Sequence, residues 1–400
     1  MEWLNHAATF SEGNVGVTRR FLTAEHRRLL VWLGELADAI GLEHRLDASG
    51  NYRMRKPAAD PAAPTLLLGS HQDTVPEGGR YDGILGVLLP LAVAASLPDL
   101  HYHLEVVAFG DEEGTRFSST LVGSSALAGC FDHEMLARTD DAGIAMADAM
   151  HEFGLQPQRI DDLALDPAAL LGFVEVHIEQ GPLLESRGLP VGVVSAITGI
   201  ERHEVVVSGR AGHAGTTPMD LRDDALVKAA RVVTGVDELC RNTAGVVGVV
   251  GKLAVEPNAV NVIPGQVTLT VELRAPDESR RRDAWRTLAD RLDAMSGITH
   301  TCVYEQAGID CEPELTARLK RAIADEGLLP ETLFSGAGHD GLAMAHVAPC
   351  AMLFVRCRDG LSHHPDESIT EEDCTVAMRV LQRFLLDLNG DAAGKARVVD

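Results

Sequence analysis

The chain has 400 residues, 46% of them apolar and only 4% aromatic, enough hydrophobic material for two folded domains and too much for a disordered chain. Its 35 basic and 59 acidic residues give a formal charge of −24, which repels phosphate backbones and anionic membrane surfaces, so neither nucleic acid nor membrane is an expected partner. The seven cysteines form no C-x-x-C pair and read as reduced packing residues; the first residues lack a basic segment followed by an apolar core, and a cytoplasmic location is expected.

In chain order, Phe21 to Gly41 carries apolar positions at helical spacing and stops on a glycine. Asn51 to Arg55, Thr65 to Gly69 and Leu104 to Gly110 read as strands, with Pro57 to Pro64 a surface loop. The longest apolar run, Leu85 to Leu97, is too short to span a bilayer. Near Ser195 the character changes. Strands at Val205 to Ser208, Gly245 to Leu253 and Gln266 to Leu273 are separated by helices around Asp223 to Cys240 and Ser279 to Met295, the pattern of a compact α+β insert. From Glu312 onward a helix (Glu314 to Glu326), an apolar strand (Ala351 to Val355) and a closing helix (Glu371 to Leu388) resume the first pattern. The predicted fold is α/β: a catalytic domain of residues 1–198 and 312–400, with a mixed sheet flanked by helices, interrupted by a smaller α+β lid or dimerisation domain, 199–311.

Chemistry-bearing residues gather where these strands end. His71 follows the apolar run Thr65 to Leu68, and open α/β sheets place ligands at that edge. Asp73 is spaced to reach the other imidazole nitrogen of His71. Asp82 lies in a glycine-flanked turn, where an ordinary turn aspartate is the alternative reading. Asp111, Glu112 and Glu113 leave the strand Leu104 to Gly110 together, and three adjacent carboxylates repel one another unless cations neutralise them. His177 ends a further strand-like run, and His363 follows the strand Ala351 to Val355. Together these groups offer oxygen and nitrogen ligands suited to two borderline divalent ions.

At these segments, from GSHQDTV at Gly69 to SHHPDE at Ser362, the chain resembles the hydantoinase/carbamoylase family of amidohydrolases, which shares its fold with dinuclear metallopeptidases. The resemblance implies that Asp82 bridges two metal ions, zinc or manganese with cobalt or nickel also suited, and that His71, His177, Glu113 and His363 complete their shells. It implies Glu112 as general base and Gln180, in HIEQGP, as a substrate contact. The short gap from His71 to Asp82, and His177 where the peptidases carry an acidic ligand, separate the chain from a metallo-dipeptidase. In the insert, His213 (GHAGTTP), Asn261 (NAVNVIP) and Arg274 (ELR) match family motifs. Arg274 suits bidentate capture of a carboxylate, while His213 and Asn261 suit an oxyanion or the substrate's polar groups. By analogy His213 reaches the site of its own or a partner subunit in a homodimer built on the insert. The glycine-rich turn with Gly338 and His339 resembles the family's pocket-lining loop. A small ureido substrate bearing a carboxylate is implied, with the run from Phe109 to Phe117 and Leu121 to Ser124 most like allantoate amidohydrolases and N-carbamoyl-L-amino acid hydrolases close behind. Asp366 and Glu367 receive no role.

Overall fold

The computed structural model describes residues 1–396, with side chains described through residue 390. Its contacts divide the chain into two compact units: Met1–Ser195 with Cys311–Leu333 and the segment from His339 onward, and Ala196–Asp310 with Phe334–Gly338.

In the first unit the sheet runs in the order Glu43–Leu46, Tyr52–Lys56, His103–Phe109, Thr65–His71, Leu170–Ile178, Cys350–Val355 and Val191–Ile197. The four strands from His103–Phe109 to Cys350–Val355 are mutually parallel, and the outer pairings are antiparallel. Thr65–His71 and His103–Phe109 are buried at every position, which explains their near-continuous apolar runs: helices cover both faces, so there is no polar side to alternate with. The exception, Glu105, is neutralised by Arg53 and Arg55 of the neighbouring strand.

Helix Ala24–Ala39 starts at Thr23, whose hydroxyl accepts from the His26 N–H. The apolar run at Leu85 becomes the helix Leu85–Ala94, buried on almost every side and packed on the central strands. Among the described residues no helix is long and apolar enough to cross a membrane, and all seven cysteines are free. Glu43–Leu46 is exposed throughout, so it carries no apolar signal and is absent from the strands expected above.

The second unit holds an antiparallel sheet in the order Ile298–Gln306, Gly199–Ser208, Gln266–Ala275, Val247–Glu256. Helices Ala225–Asn242 and Glu278–Asp293, capped by Asp224 and Asp277, cover one face. Val205, Val207, Leu269 and Val271 from the strands meet Val232, Val236, Leu288 and Leu292 from the helices. A short ribbon pairs Gly212–His213 with Val262–Ile263.

Candidate metal centre

The parallel register of the first unit sets the site. His71 pairs with Phe109, the last residue of the strand before the acidic loop, and His177 pairs with Phe354 near the end of its strand. The carboxyl ends of four neighbouring strands therefore deliver His71, the loop Asp111 to Glu113, His177 and the segment containing His363 to one edge. Asp111, Gln180 and His363 all have positive φ (54°, 57° and 55°), a conformation that bends the chain sharply at the rim of the site.

Asp82 lies at the centre, 5% exposed. Its Oδ1 is 3.3 Å from His71 Nε2 and 3.1 Å from His177 Nε2, and its Oδ2 is 3.4 Å from His363 Nε2, which is itself 3.4 Å from Glu113 Oε1. The ring tautomers follow from the partners. His71 Nδ1 lies 2.9 Å from the Asp73 carbonyl and His177 Nδ1 2.9 Å from the Ile178 carbonyl; a carbonyl only accepts, so each Nδ1 carries its proton. Two Nε2 lone pairs, 3.5 Å apart, then converge on a buried carboxylate. Such an arrangement needs a cation between its members, a proton or a metal ion.

The electrostatics agree. Burial would raise the Asp82 carboxyl, but His177, His363 and His71 outweigh it and hold it well below the usual carboxylate range. Burial would lower His71, yet Asp82, Glu112 and Asp73 raise it well above its ordinary value. Burial pushes Glu112 well up, reinforced by Glu113, Asp340 and Asp73 against the pull of His71, and pushes Glu113 up to about 7. Among the described residues, donor atoms of His71, Asp82 and His177, of Asp82, Glu113 and His363, and of His71, Glu112 and Glu113 lie within 4.8 Å of one another in each group. These groups overlap at His71, Asp82 and Glu113 and offer donors of the kind that hold divalent metal.

One expected contact takes another form. Asp73 meets His71 through its backbone carbonyl, while its carboxylate, 3.8 Å from Nδ1, accepts from the Glu112 and Glu113 N–H groups at 3.1 Å. The chain turns back after His71, so the peptide oxygen faces the ring and the carboxylate is left to pin the acidic loop. Gln180 donates to Asp82 Oδ2 at 2.9 Å and to Ser362 at 3.2 Å, so in this structure it braces the central carboxylate. His339 is buried against His177, ring centroids 4.5 Å apart, and burial holds it well below its ordinary pKa, hence neutral.

The remaining residues named from the sequence belong to the second unit. His213, exposed, accepts from the Gly215 N–H through Nδ1 at 3.0 Å and pairs with Val262, next to Asn261, whose carbonyl accepts from Ala214. Arg274 is held by Glu272 at 2.7 Å and by the Gly336 carbonyl at 2.6 Å; Gly338 lies in the same unit.

The structure adds groups that motif reading passed over. Glu367, 3% exposed, accepts from the Tyr81 and Asp82 N–H groups at 2.9 and 3.1 Å and from Ser362 at 3.2 Å, clamping the turn that presents Asp82. Gly79 makes room for it: a Cβ there would lie 2.0 Å from the Glu367 carboxyl carbon. Glu175 and Asp340 are fully buried near the histidines; Glu175 accepts from Ser70 at 2.7 Å and from the Gly341 N–H at 3.2 Å. The strand's two-residue period puts Glu175 on the face of His177, a signal legible in the sequence. Glu367 has no such signal.

A mixed α/β sheet with convergent metal donors at its parallel strand ends defines a metallohydrolase-type architecture. Residues 67–387 match peptidase family M20/M25/M40, and the chain belongs to that family. It is 40% identical over 382 residues to the N-carbamoyl-L-amino acid amidohydrolase of Geobacillus stearothermophilus, covering 93% of each chain. It is 37% identical over 424 residues to the allantoate deiminase of Arabidopsis thaliana, covering 96% of this chain and 80% of the relative. A solved hydantoinase/carbamoylase-family amidase from Burkholderia multivorans superposes with a TM-score of 0.90 at 32% identity, covering 97% of this chain and 96% of that one. The protein is a hydrolase acting on C–N amide bonds.

Proposed function

We propose that the protein hydrolyses a linear ureido C–N bond of a small carboxylate-bearing substrate, with allantoate as the first candidate. The observation that carries this reading is the convergence of His71, His177, His363 and Glu113 on the buried Asp82 carboxylate, with Glu112 beside them. Relatives named for ureido substrates support the class. The resemblance of Phe109 to Phe117 and Leu121 to Ser124 to allantoate amidohydrolases favours allantoate. A second reading, an N-carbamoyl-L-amino acid, is favoured by the 40% identical relative of that name.

Enzymes of this family are metal-dependent. In our assignment His71, His177, Asp82, Glu113 and His363 are the residues that would hold the divalent metal. Two such ions supply Lewis acidity and make a water acidic enough to attack at neutral pH. Glu112 takes the proton of that water on a carboxylate oxygen and delivers it to the departing nitrogen, which leaves as ammonia or an amine. Its raised pKa suits both halves of that transfer. Gln180 and Glu367 keep the Asp82 carboxylate oriented. To the second unit we assign further substrate contacts: Arg274 to the carboxylate, His213 to the developing oxyanion, Asn261 and Gly338 to the remaining polar groups; His339 of the first unit shares that last role. This unit also serves, in our reading, as lid and homodimer contact. Its strand Val247–Glu256 is unpaired on one edge and exposes Val247, Val249 and Leu253, which supports that role.

The test is ammonia release from allantoate and from a panel of N-carbamoyl-L-amino acids, using chelated protein restored separately with zinc and manganese. Turnover of allantoate alone supports the first reading, and preference for a carbamoyl amino acid replaces it with the second. No metal-dependent ammonia from any of them rejects the ureido class.

A further inference from the structure

We propose that Arg19, which no motif singles out, is a positioning residue of the metal centre: it fixes the two peptide planes on either side of Asp73, and through them His71 and the acidic loop. The proposal rests on the reading of His71, Asp82 and Glu113 as metal donors. Arg19 is 1% exposed. Its Nε donates to the Gln72 carbonyl at 2.7 Å, and its Nη1 donates to the carbonyls of Ala7 and Phe10 at 3.0 and 3.2 Å, at and just beyond the end of the helix Glu2–Ala7. The main chain of Arg19 meets the same turn. Its N–H donates to Thr74 Oγ1 at 2.9 Å, and its carbonyl accepts from the Thr74 N–H at 3.1 Å. The Thr74 hydroxyl in turn donates to the Val17 carbonyl at 3.1 Å.

A trans peptide is planar and its C=O and N–H point opposite ways, so holding one end orients the other. The plane joining Asp73 to Thr74 has its N–H on the Arg19 carbonyl and its C=O on His71 Nδ1. The plane joining Gln72 to Asp73 has its C=O on the Arg19 guanidinium. With both planes held, the φ and ψ of Asp73 are set. Its carboxylate is then aimed at the N–H groups of Glu112 and Glu113. One residue outside the donor set thus fixes both the tautomer of a donor ring and the loop that carries Glu112 and Glu113. Groups that orient metal-binding side chains in this way govern metal affinity without touching the ion.

Packing alone does not account for a guanidinium at this place. Its side-chain hydrogen bonds among the described residues all go to carbonyls. Burial lowers its pKa, against the pull of Asp73, to about 10, so the group is charged at neutral pH. A buried charge whose hydrogen bonds go to no carboxylate is a costly way to fill a core, where an apolar side chain of similar length would serve. A rigid planar fork that joins carbonyls of two distant segments is, by contrast, suited to fixing a backbone.

The test strips the full-length protein of metal and titrates it with zinc against a chromophoric chelator, then with cobalt(II), whose visible absorption reports ligand geometry. Arg19→Met should lower zinc affinity about 10–100-fold and shift the cobalt spectrum. Arg19→Lys, which keeps the charge without the planar fork, should recover part of that loss. Thr74→Val removes the hydroxyl between the Arg19 N–H and the Val17 carbonyl, and should lower zinc affinity about 3–10-fold, the worth of one hydrogen bond. Tyr102→Phe deletes a buried hydrogen bond of the same unit, to the Leu385 carbonyl, and should lower the thermal midpoint while affinity and spectrum stay those of the parent. Parent affinity and spectrum in folded Arg19→Met overturn the proposal, as does an equal loss in Tyr102→Phe. Should Arg19→Met not fold, parent affinity in both Arg19→Lys and Thr74→Val overturns it. A parent protein that binds no zinc removes the metal centre and this proposal together, whereas a parent that binds and variants that bind equally remove this proposal alone.

Discussion

Asp82 in the first unit and Glu272 in the second are both carboxylates ringed by nitrogen-bearing side chains. Glu272 accepts from Arg202 at 2.9 Å and from Arg274 at 2.8 Å; burial would raise its carboxyl, but these guanidiniums lower it below the usual value. Guanidiniums are charged at every relevant pH, so that cluster is complete as it stands. Asp82 instead meets three imidazoles, which are neutral unless protonated; His71 and His177 are buried, while His363 is half exposed at the rim. The same geometric motif is a finished ion pair where the cations are permanent, and an unfinished one, open to metal, where they are titratable around a buried carboxylate.

The sharpest way to break this comparison is to leave the buried cluster intact and remove only the carboxylate proposed to carry the proton. Glu112→Gln should lower kcat about 10²–10⁴-fold with bound metal unchanged, measured by ammonia release and metal analysis; a fall in metal content of the same size would make Glu112 a ligand instead. Next in effect is the clamp. Glu367→Gln keeps the shape but weakens three hydrogen bonds, and should cost about 10–100-fold in metal affinity by chelator competition. An unchanged affinity would mean that the turn at Asp82 holds without it.

On the completed side, Arg274→Ala should raise KM by roughly 10–100-fold, the worth of one or two hydrogen bonds to a charged partner, with a smaller change in kcat. A pure kcat effect would place Arg274 among the groups that act only in the transition state.

A smaller effect concerns burial alone. His26 lies in the first unit's core beside Phe21 and Phe153, accepting from the Leu22 N–H, and burial, with help from Arg19, takes its pKa from 6.5 down to about 3. Because the folded-state value is depressed, the unfolded chain binds the proton first. Stability is full above about pH 6.5 and falls by roughly 1.4 kcal/mol per pH unit as pH drops toward 3. Urea midpoints at pH 7 and pH 5 should therefore diverge less in His26→Gln than in the parent. Smallest of all, Asp237→Asn, breaking a solvent-exposed pair with Arg241 in the second unit, should leave the thermal midpoint unmoved.

Much of this organisation is legible in the primary structure. Buried strands such as Thr65–His71 announce themselves as apolar runs, amphipathic helices such as Glu278–Asp293 by their period, and the candidate metal donors by following such runs at the turn where a strand must end. These are local signals, because hydrophobic period and turn chemistry act between residues close in the chain. Some of what escaped lacks a period. Glu43–Leu46 is exposed on every residue, and the edge strand Ile298–Gln306 is exposed over most of its length, so neither strand differs in pattern from a loop.

The sequence by itself thus determined most of the elements that form and which chemistry-bearing residues stand at their ends. Only the tertiary structure decided that four of those ends are neighbours, since parallel order depends on crossovers whose helices give no register. It also decided which atom of a chosen residue acts: the carbonyl of Asp73 for His71, and its carboxylate for the acidic loop. Finally it singled out Glu367 from the adjacent Asp366, one buried under the turn at Asp82 and the other in solvent. Two acidic residues side by side are equivalent in a string of letters; their surroundings, set by segments far away in the chain, make one a clamp and the other surface charge.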